Sequence, residues 1–296
     1  MTGASGPTTL PALPDLSGPA YAPAHPRRAF VQQIMGLPVS VHVRGPHARG
    51  PEVEAAVEAL FAALRADDAT FSTWKPDSVV SRIRRGELRI EDAGPRMAEV
   101  VALCEEANRR TGGAFSAWLP GPDGVLAFDP TGLVKGWAVQ QAFAALVERL
   151  ATIGRSVGGH EGHDALVSAG GDVAVACART DTPDWVVGIE DPRDGSKMVL
   201  SVPLRQGAVA TSGTAARGEH IVDPATGSAP SGLLSATVIG PDLTWADVYA
   251  TAAFVRGADA EAWLATLPDP HELAAVLVDS AGATHTVAPA DRTPRR

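Results

Sequence analysis

A chain of 296 residues, 45% hydrophobic and 20% charged, has the composition of an ordinary globular protein and is long enough for one large cored domain or two moderate ones. Its formal net charge of −9 argues against a nucleic-acid partner or an anionic membrane surface, although a local pocket can still take an anionic ligand. The two cysteines, Cys104 and Cys177, are far apart and in no CxxC or Cys/His spacing, which leaves neither a zinc site nor a disulfide framework.

Residues 1–27 are rich in Pro, Gly, Ala, Ser and Thr, and read as a disordered tail ahead of a single domain over residues 28–290. They carry no signal-peptide pattern or lipobox cysteine, and no later stretch is apolar enough to span a bilayer. The expectation is a cytoplasmic protein without a membrane anchor. After Met35-Gly36, the alternation Val39-Ser40-Val41-His42-Val43 predicts a half-buried strand with His42 on its polar face. Apolar spacing at Val53, Val57, Leu60, Phe61 and Leu64 predicts a helix, with Pro51 and Glu52 suited to its first turn. Phe71-Ser72-Thr73-Trp74 reads as a loop whose aromatic could stack on a planar ring, or as a strand end with a core Trp. A second amphipathic helix through Met97, Val100, Val101 and Cys104 stops at Thr111-Gly112-Gly113, and Phe115 follows.

The stretch from Phe128 to Trp137 is the centre of the chain. Asp129-Pro130-Thr131-Gly132 leads through Val134 to Lys135-Gly136, and an apolar helical run continues from Trp137 to Leu150. A glycine-bearing turn and a positive charge at the mouth of a helix suit an anion such as phosphate; the plainer reading is a helix start with a solvated lysine. Lys135 is one of only three lysines, with Lys75 and Lys197, in a chain that otherwise uses arginine. Beyond it the pattern turns mostly to strands: Asp164–Ser168, Val173–Cys177, Trp185–Ile189, Ala208–Ala210, Glu219–Val222 and Ala236–Ile239. A helix over Trp245–Val255 and a last helix near Ala260 follow, with strands near Ala275 and Thr284. Because helices and strands do not alternate strictly, the fold class expected is α+β, with mixed or antiparallel sheets and flanking helices.

Asp247 and Thr251 stand at i and i+4 of a predicted helix, which stacks a carboxylate and a hydroxyl on one face. Two hard oxygens completed by a carbonyl, waters and phosphate suit Mg2+; the alternative is ordinary first-turn chemistry. Gly170-Gly171-Asp172 is a second place where bare backbone could meet a phosphate, or a plain strand-to-strand turn. Thr211-Ser212-Gly213 with His220 invites a nucleophile-base reading, but no GxSxG elbow surrounds Ser212. His160-Glu161-Gly162-His163 is not HExxH and reads as solvated histidines in a glycine-rich loop.

Met35-Gly36, Phe71–Trp74, Gly112–Phe115, Asp129 through Lys135-Gly136, Gly170–Asp172, Thr211-Ser212-Gly213 with His220, and Ala246-Asp247 with Thr251 occur in one order. In this order they resemble the ApbE family of FAD:protein FMN transferases, from about Met35 to Gly257. The resemblance implies an ApbE-like, T-fold-related α+β fold that binds FAD and splits its pyrophosphate with Mg2+. FMN would pass through a phosphoester to a Thr or Ser of an acceptor protein carrying a flavinylation motif, and AMP would leave. By the same resemblance Asp247, Thr251 and a carbonyl at Val134 hold the metal, and Lys135 and His220 join Asp247 in catalysis. Met35, Phe71, Ser72, Thr73, Trp74, Phe115, Lys135, Gly170, Gly171, Asp172, Thr211, Ser212 and His220 line the FAD. The chain departs from the family pattern at Gln140, where an aspartate is usual, and at Thr214-Ala215-Ala216, where an acidic-aromatic group is usual. FAD binding without transfer, and hydrolysis of FAD to FMN and AMP, remain as alternatives.

Overall fold

Alternating valines and a two-residue turn set the first hairpin. In the computed structural model, which describes residues 26–120, 124–156, 162–214, 221–267 and 273–288, β1 (Arg27–Ile34) pairs with β2 (Leu37–Arg44). Met35 and Gly36 turn between them at φ 56° and 71°, the left-handed values that this tight connection needs. Val39, Val41 and Val43 are buried, and His42 lies on the other face, as the alternation predicts. β1 itself was not expected; it starts at Arg27, inside the span read as tail.

Helix α1 (Pro51–Phe71) opens on Pro51 with Glu52 and Glu54 in its first turn, where the helix dipole favours them, and runs past the expected end at Leu64 to Phe71. A short helix α2 (Val79–Arg84), capped by the Ser78 hydroxyl, and α3 (Pro95–Arg110) follow. Cys104 is buried on α3, as expected. A small hairpin of β3 (Trp118–Pro120) and β4 (Leu126–Phe128) leads into the long α4 (Thr131–Ser156).

The remaining strands are β5 (Asp164–Ala169), β6 (Asp172–Ala176), β7 (Trp185–Asp191), β8 (Asp194–Leu204), β9 (Gln206–Gly213) and β10 (Leu233–Gly240). Then come α5 (Leu243–Arg256), α6 (Ala260–Leu264), β11 (Ala274–Asp279) and β12 (Thr284–Val287). Eight strands form one sheet in the order β1-β2-β5-β6-β9-β10-β11-β12, and every described pairing is antiparallel. Helices α1, α4 and α5 cover one face around a core that includes Phe61, Trp137 and Phe254. The β7–β8 hairpin covers part of the other, through Val173, Val175, Val187 and Val209. The strand expected over Glu219–Val222 is not seen at Ile221 and Val222, and its first two residues lie outside the described span. Among the described residues no helix is long and apolar enough to cross a membrane.

The fold thus brings several chain turns to one end of the sheet. Ala169 pairs with Val39, which sets the Gly170-Gly171 turn beside the β1–β2 turn. Thr211 of β9 pairs with Thr237 of β10 two residues inside the same end of the sheet, where Gly213 pairs with Ser235. The first turns of α4 and the middle of α5 lie over that end.

Candidate active site

Helices α4 and α5 approach closely at one residue. A Cβ on Gly136 would fall 2.9 Å from the Asp247 Cβ and 2.9 Å from the Leu243 carbonyl, so glycine here lets the two backbones meet. Glycine inside a helix costs about 1 kcal/mol relative to alanine, which this contact offsets. The Gly136 N–H donates to Asp247 Oδ2 at 3.2 Å, and Lys135 reaches Asp247 Oδ1 at 3.2 Å. Lys135 also forms a close ion pair with Asp172 Oδ2, while Asp172 Oδ1 accepts the Thr211 N–H at 3.3 Å. Asp172 and Asp247 are 1% and 2% exposed, and 19% of the Lys135 side chain reaches solvent. Two buried carboxylates therefore share one ammonium, which leaves a local charge of −1 when both are ionised.

Burial raises the pKa of Asp247; Lys135 opposes that rise and the neighbouring Asp172 adds to it. Burial alone would lower the Lys135 pKa, but Asp172 and Asp247 outweigh it and hold the ammonium charged. Next to this trio the Ser212 and Thr251 hydroxyls meet at 3.0 Å, and those of Thr211 and Thr237 at 2.9 Å. Gln140, one turn beyond Gly136, accepts the Leu243 N–H at 2.9 Å and so fixes the start of α5 against α4. Asp242 caps the same start by accepting the Trp245 N–H at 3.2 Å.

Several expectations need correction. The helix expected from Trp137 begins at Thr131, so Gly132 and Lys135 lie inside it and do not form a turn before it. Asp129 accepts from the Thr131 N–H at 3.1 Å and from its hydroxyl at 2.6 Å, so the helix start already has a carboxylate. With Lys135 held between two carboxylates, this is not a free anion site. Asp172 does not offer its carboxylate to a ligand, because both oxygens are committed to Lys135 and Thr211. Phe71 and Phe115 are core residues. The Phe71 ring meets Trp137 edge-on at 5.6 Å, and Phe115 packs where a Cβ on Gly132 would stand 3.1 Å from its ring.

Ser72 uses its hydroxyl within its own loop, accepting from the N–H groups of Trp74 and Lys75 at 3.2 and 3.3 Å. Thr73 sits in that loop, half-buried, and Trp74 is 92% exposed, so the alternative of a core Trp is excluded. Met35, Gly170 and Gly171 lie in the turns at the same end of the sheet, and Val134 is buried in α4 just before Lys135. His220 lies outside the described residues, as do His160 and Glu161; His163 is buried rather than solvated. The roles of Gly136, Gln140 and Thr237 were missed. Gln140 left a signal, as a departure from the family pattern; Gly136 read as part of a turn before the helix.

The oxygens that could hold a cation here are the Asp247 carboxylate and the Thr251 and Ser212 hydroxyls, with the expected Val134 carbonyl on α4 one residue before Lys135. Among the described residues no group of three or more His, Cys, Asp or Glu side chains gathers for a metal. The donor set fits a hard cation that takes one carboxylate and completes its shell with neutral oxygens, water and phosphate, as Mg2+ does.

Comparison with known proteins identifies the family. The ApbE family matches over residues 35–120 and 118–277, which take in the trio, both hydroxyl pairs and the turns around them. The chain belongs to the ApbE family. An FAD:protein FMN transferase of Klebsiella pneumoniae is 27% identical, with 69% of this chain and 73% of that protein aligned. Among solved structures, the ApbE protein of Thermotoga maritima superposes with a TM-score of 0.71 at 21% identity, covering 88% of this ApbE-family chain and 96% of its own. The apo flavinyl transferase ApbE of Pseudomonas stutzeri gives 0.68 at 23% identity, covering 89% and 95%. The flavin transferase ApbE of Vibrio cholerae gives 0.67 at 19%, covering 92% and 100%. These likenesses establish the ApbE α+β fold.

Proposed function

We propose that the protein is a Mg2+-dependent FAD:protein FMN transferase, acting on FAD and on an acceptor protein with a Thr or Ser flavinylation motif. The observation that carries this reading is the buried Asp172–Lys135–Asp247 trio with the Ser212–Thr251 hydroxyls beside it, in a chain of this family. Asp247, Thr251 and the Val134 carbonyl would hold Mg2+, which when bound supplies positive charge to the phosphates of the FAD pyrophosphate. Lys135 acts through the carboxylates it contacts, keeping Asp247 aimed between α4 and the sheet. Met35, the Gly170-Gly171 turn, Thr211 and Ser212 border the end of the sheet where FAD would lie. His220 is the base in this reading: it takes the proton of the acceptor hydroxyl as that oxygen bonds to the FMN phosphorus and the bond to the AMP oxygen breaks.

The test is Asp247→Asn, with AMP release and the intact mass of an acceptor peptide followed in FAD and titrated Mg2+. Asn keeps the shape, can still accept the Gly136 N–H, and leaves Lys135 paired with Asp172, so folding stability should change little. Turnover should fall by at least about a hundredfold, and the Mg2+ requirement should rise. Wild-type turnover at wild-type Mg2+ would refute the site. FMN and AMP without a mass gain would make the protein an FAD pyrophosphatase, and FAD returned intact would make it an FAD-binding protein.

A further inference from the structure

The two ends of the eight-stranded sheet are finished differently. At one end β12 has only four residues, a common way to blunt an edge. At the other end β1 has eight, pairs with β2 without a register shift, and contains no proline. Its central residues, Ala29 to Gln33, carry no charge, and among the described residues no strand covers its outer side. Long, regular, uncharged edges are the ones that add a further strand.

The hairpin geometry tells which groups face outward. Across a two-residue turn Ile34 and Leu37 form a hydrogen-bonded pair, so Arg28, Phe30 and Gln32 also bond to β2. Arg27, Ala29, Val31 and Gln33 then direct their N–H and C=O groups to the open side. Pro38, which has no N–H, stands opposite Gln33, as this alternation requires. Val31 is 63% exposed. Beside the edge a groove of about 420 Å³ runs between β1 and α1, with Phe30, Pro51, Ala55, Val57 and Phe61 among its walls. Arg28–Glu54 at 2.9 Å and Gln32–Glu58 at 3.0 Å tie the two elements together there.

We propose that this edge joins a second copy of the chain, β1 against β1 in antiparallel register about a two-fold axis centred on Phe30. That register satisfies the outward groups, because odd-numbered residues meet odd-numbered ones: Arg27 faces Gln33 of the second copy, and Ala29 faces Val31. Phe30 meets Phe30 of the second copy in a non-hydrogen-bonded pair, where side chains come closest, at the mouth of the groove. Arg28 faces Gln32 of the second copy, so no two like charges are opposed. Parallel pairing would set arginine beside arginine. The charge pattern of the strand therefore selects a copy of itself, turned around.

The experiment is sedimentation velocity of the full chain across a concentration series, with Val31→Pro and Val31→Lys. Proline at 31 removes an outward N–H and no β1–β2 hydrogen bond, while lysine places a charge on the edge and keeps the backbone intact should the proline variant fail to fold. The expected result is a wild-type dimer, with dissociation constants raised at least about tenfold in the variants, since the two-fold axis repeats each loss. A monomeric wild type would overturn the proposal, and so would variants that dimerise equally well. A full chain that is monomeric but dimerises once residues 1–25 are removed would assign the edge to its own tail instead.

Discussion

Lys135→Met tests the trio most directly. The substitution keeps an apolar stem of similar length but removes the one positive charge that both Asp172 and Asp247 contact. Removing one partner of a buried ion pair typically costs about 3–5 kcal/mol, because the remaining charge is left uncompensated. Here two carboxylates lose their cation, but each keeps a backbone donor: Thr211 N–H for Asp172 at 3.3 Å and Gly136 N–H for Asp247 at 3.2 Å. These contacts put the expected loss at the lower end, about 3 kcal/mol, read by urea unfolding at pH 8 with an unchanged m-value. The pH arm has a definite sign. Burial already raises the pKa of Asp247, and Lys135 opposes that rise, so its removal raises it further. An acid whose folded pKa lies above its unfolded value gains stability as pH falls, since the fold then binds more protons than the unfolded chain. The deficit of the variant should therefore shrink between pH 8 and pH 5. A loss below about 1 kcal/mol that does not depend on pH would mean that Lys135 is in effect a solvated lysine.

Two further outcomes follow from buried groups elsewhere. Burial, with Glu105 and Asp129, pushes the Cys104 thiol up to about 12, and burial also raises Cys177, which is only half-buried and has the Arg44 guanidinium 3.4 Å from its sulfur; a disulfide reagent at pH 8 should modify one thiol well before the other in the native protein, and Cys177→Ser should abolish the faster phase. Two fast phases would contradict the packing of α3. Burial, as the largest cause, holds His163 below its ordinary value. At pH below about 6.5 the unfolded chain binds the proton first, so this residue makes stability fall with pH, and His163→Leu should flatten the slope between pH 7.5 and 5.5 relative to wild type. An identical slope would refute this.

What the sequence revealed and what it hid follow from the range of each interaction. The alternation around Val41 and the helical spacing through Met97 and Cys104 report burial on one face of a single element, so they are legible without neighbours. The same is true of Asp247 and Thr251, because one helical turn fixes their spacing. β8 stayed hidden since most of it is half-exposed on both faces and shows no clean alternation. β1 was hidden for a similar reason, with Phe30 and Val31 apolar on opposite faces. The start of α4 read as a turn because Gly132 and Gly136 are poor helix formers. Each is there because of another segment, the Phe115 ring for the first and the α5 backbone for the second. Phe71 looked like a ligand-facing aromatic beside hydroxyls, but its ring points at Trp137, far along the chain. The pairing of Lys135 with Asp172 and the meeting of Ser212 with Thr251 join distant residues, and no local pattern records them.

The charge of the trio decides between two roles for Lys135. A lysine facing an open helix start would bring +1 to a phosphate, and the sequence alone permits that. Bound to two carboxylates, the same lysine belongs to a group with one carboxylate in excess of its cation, in which burial and Asp172 push the Asp247 pKa up to about 7 against the pull of Lys135, so that a bound cation would favour its ionised form. Such a group repels a pyrophosphate and attracts a cation. In the proposed function, phosphate would therefore be met at this end of the sheet through a cation held at Asp247, with the Ser212 and Thr251 hydroxyls meeting one helical turn along α5. Lys135 then has a positioning role. It neutralises Asp172, which is fixed by the Thr211 backbone, and holds Asp247 against Gly136, while Gln140 anchors the start of the helix that carries Asp247. Gln140 accepts a backbone N–H through a neutral amide. It performs this anchoring without adding a further carboxylate to a site whose two carboxylates already outnumber its one cation.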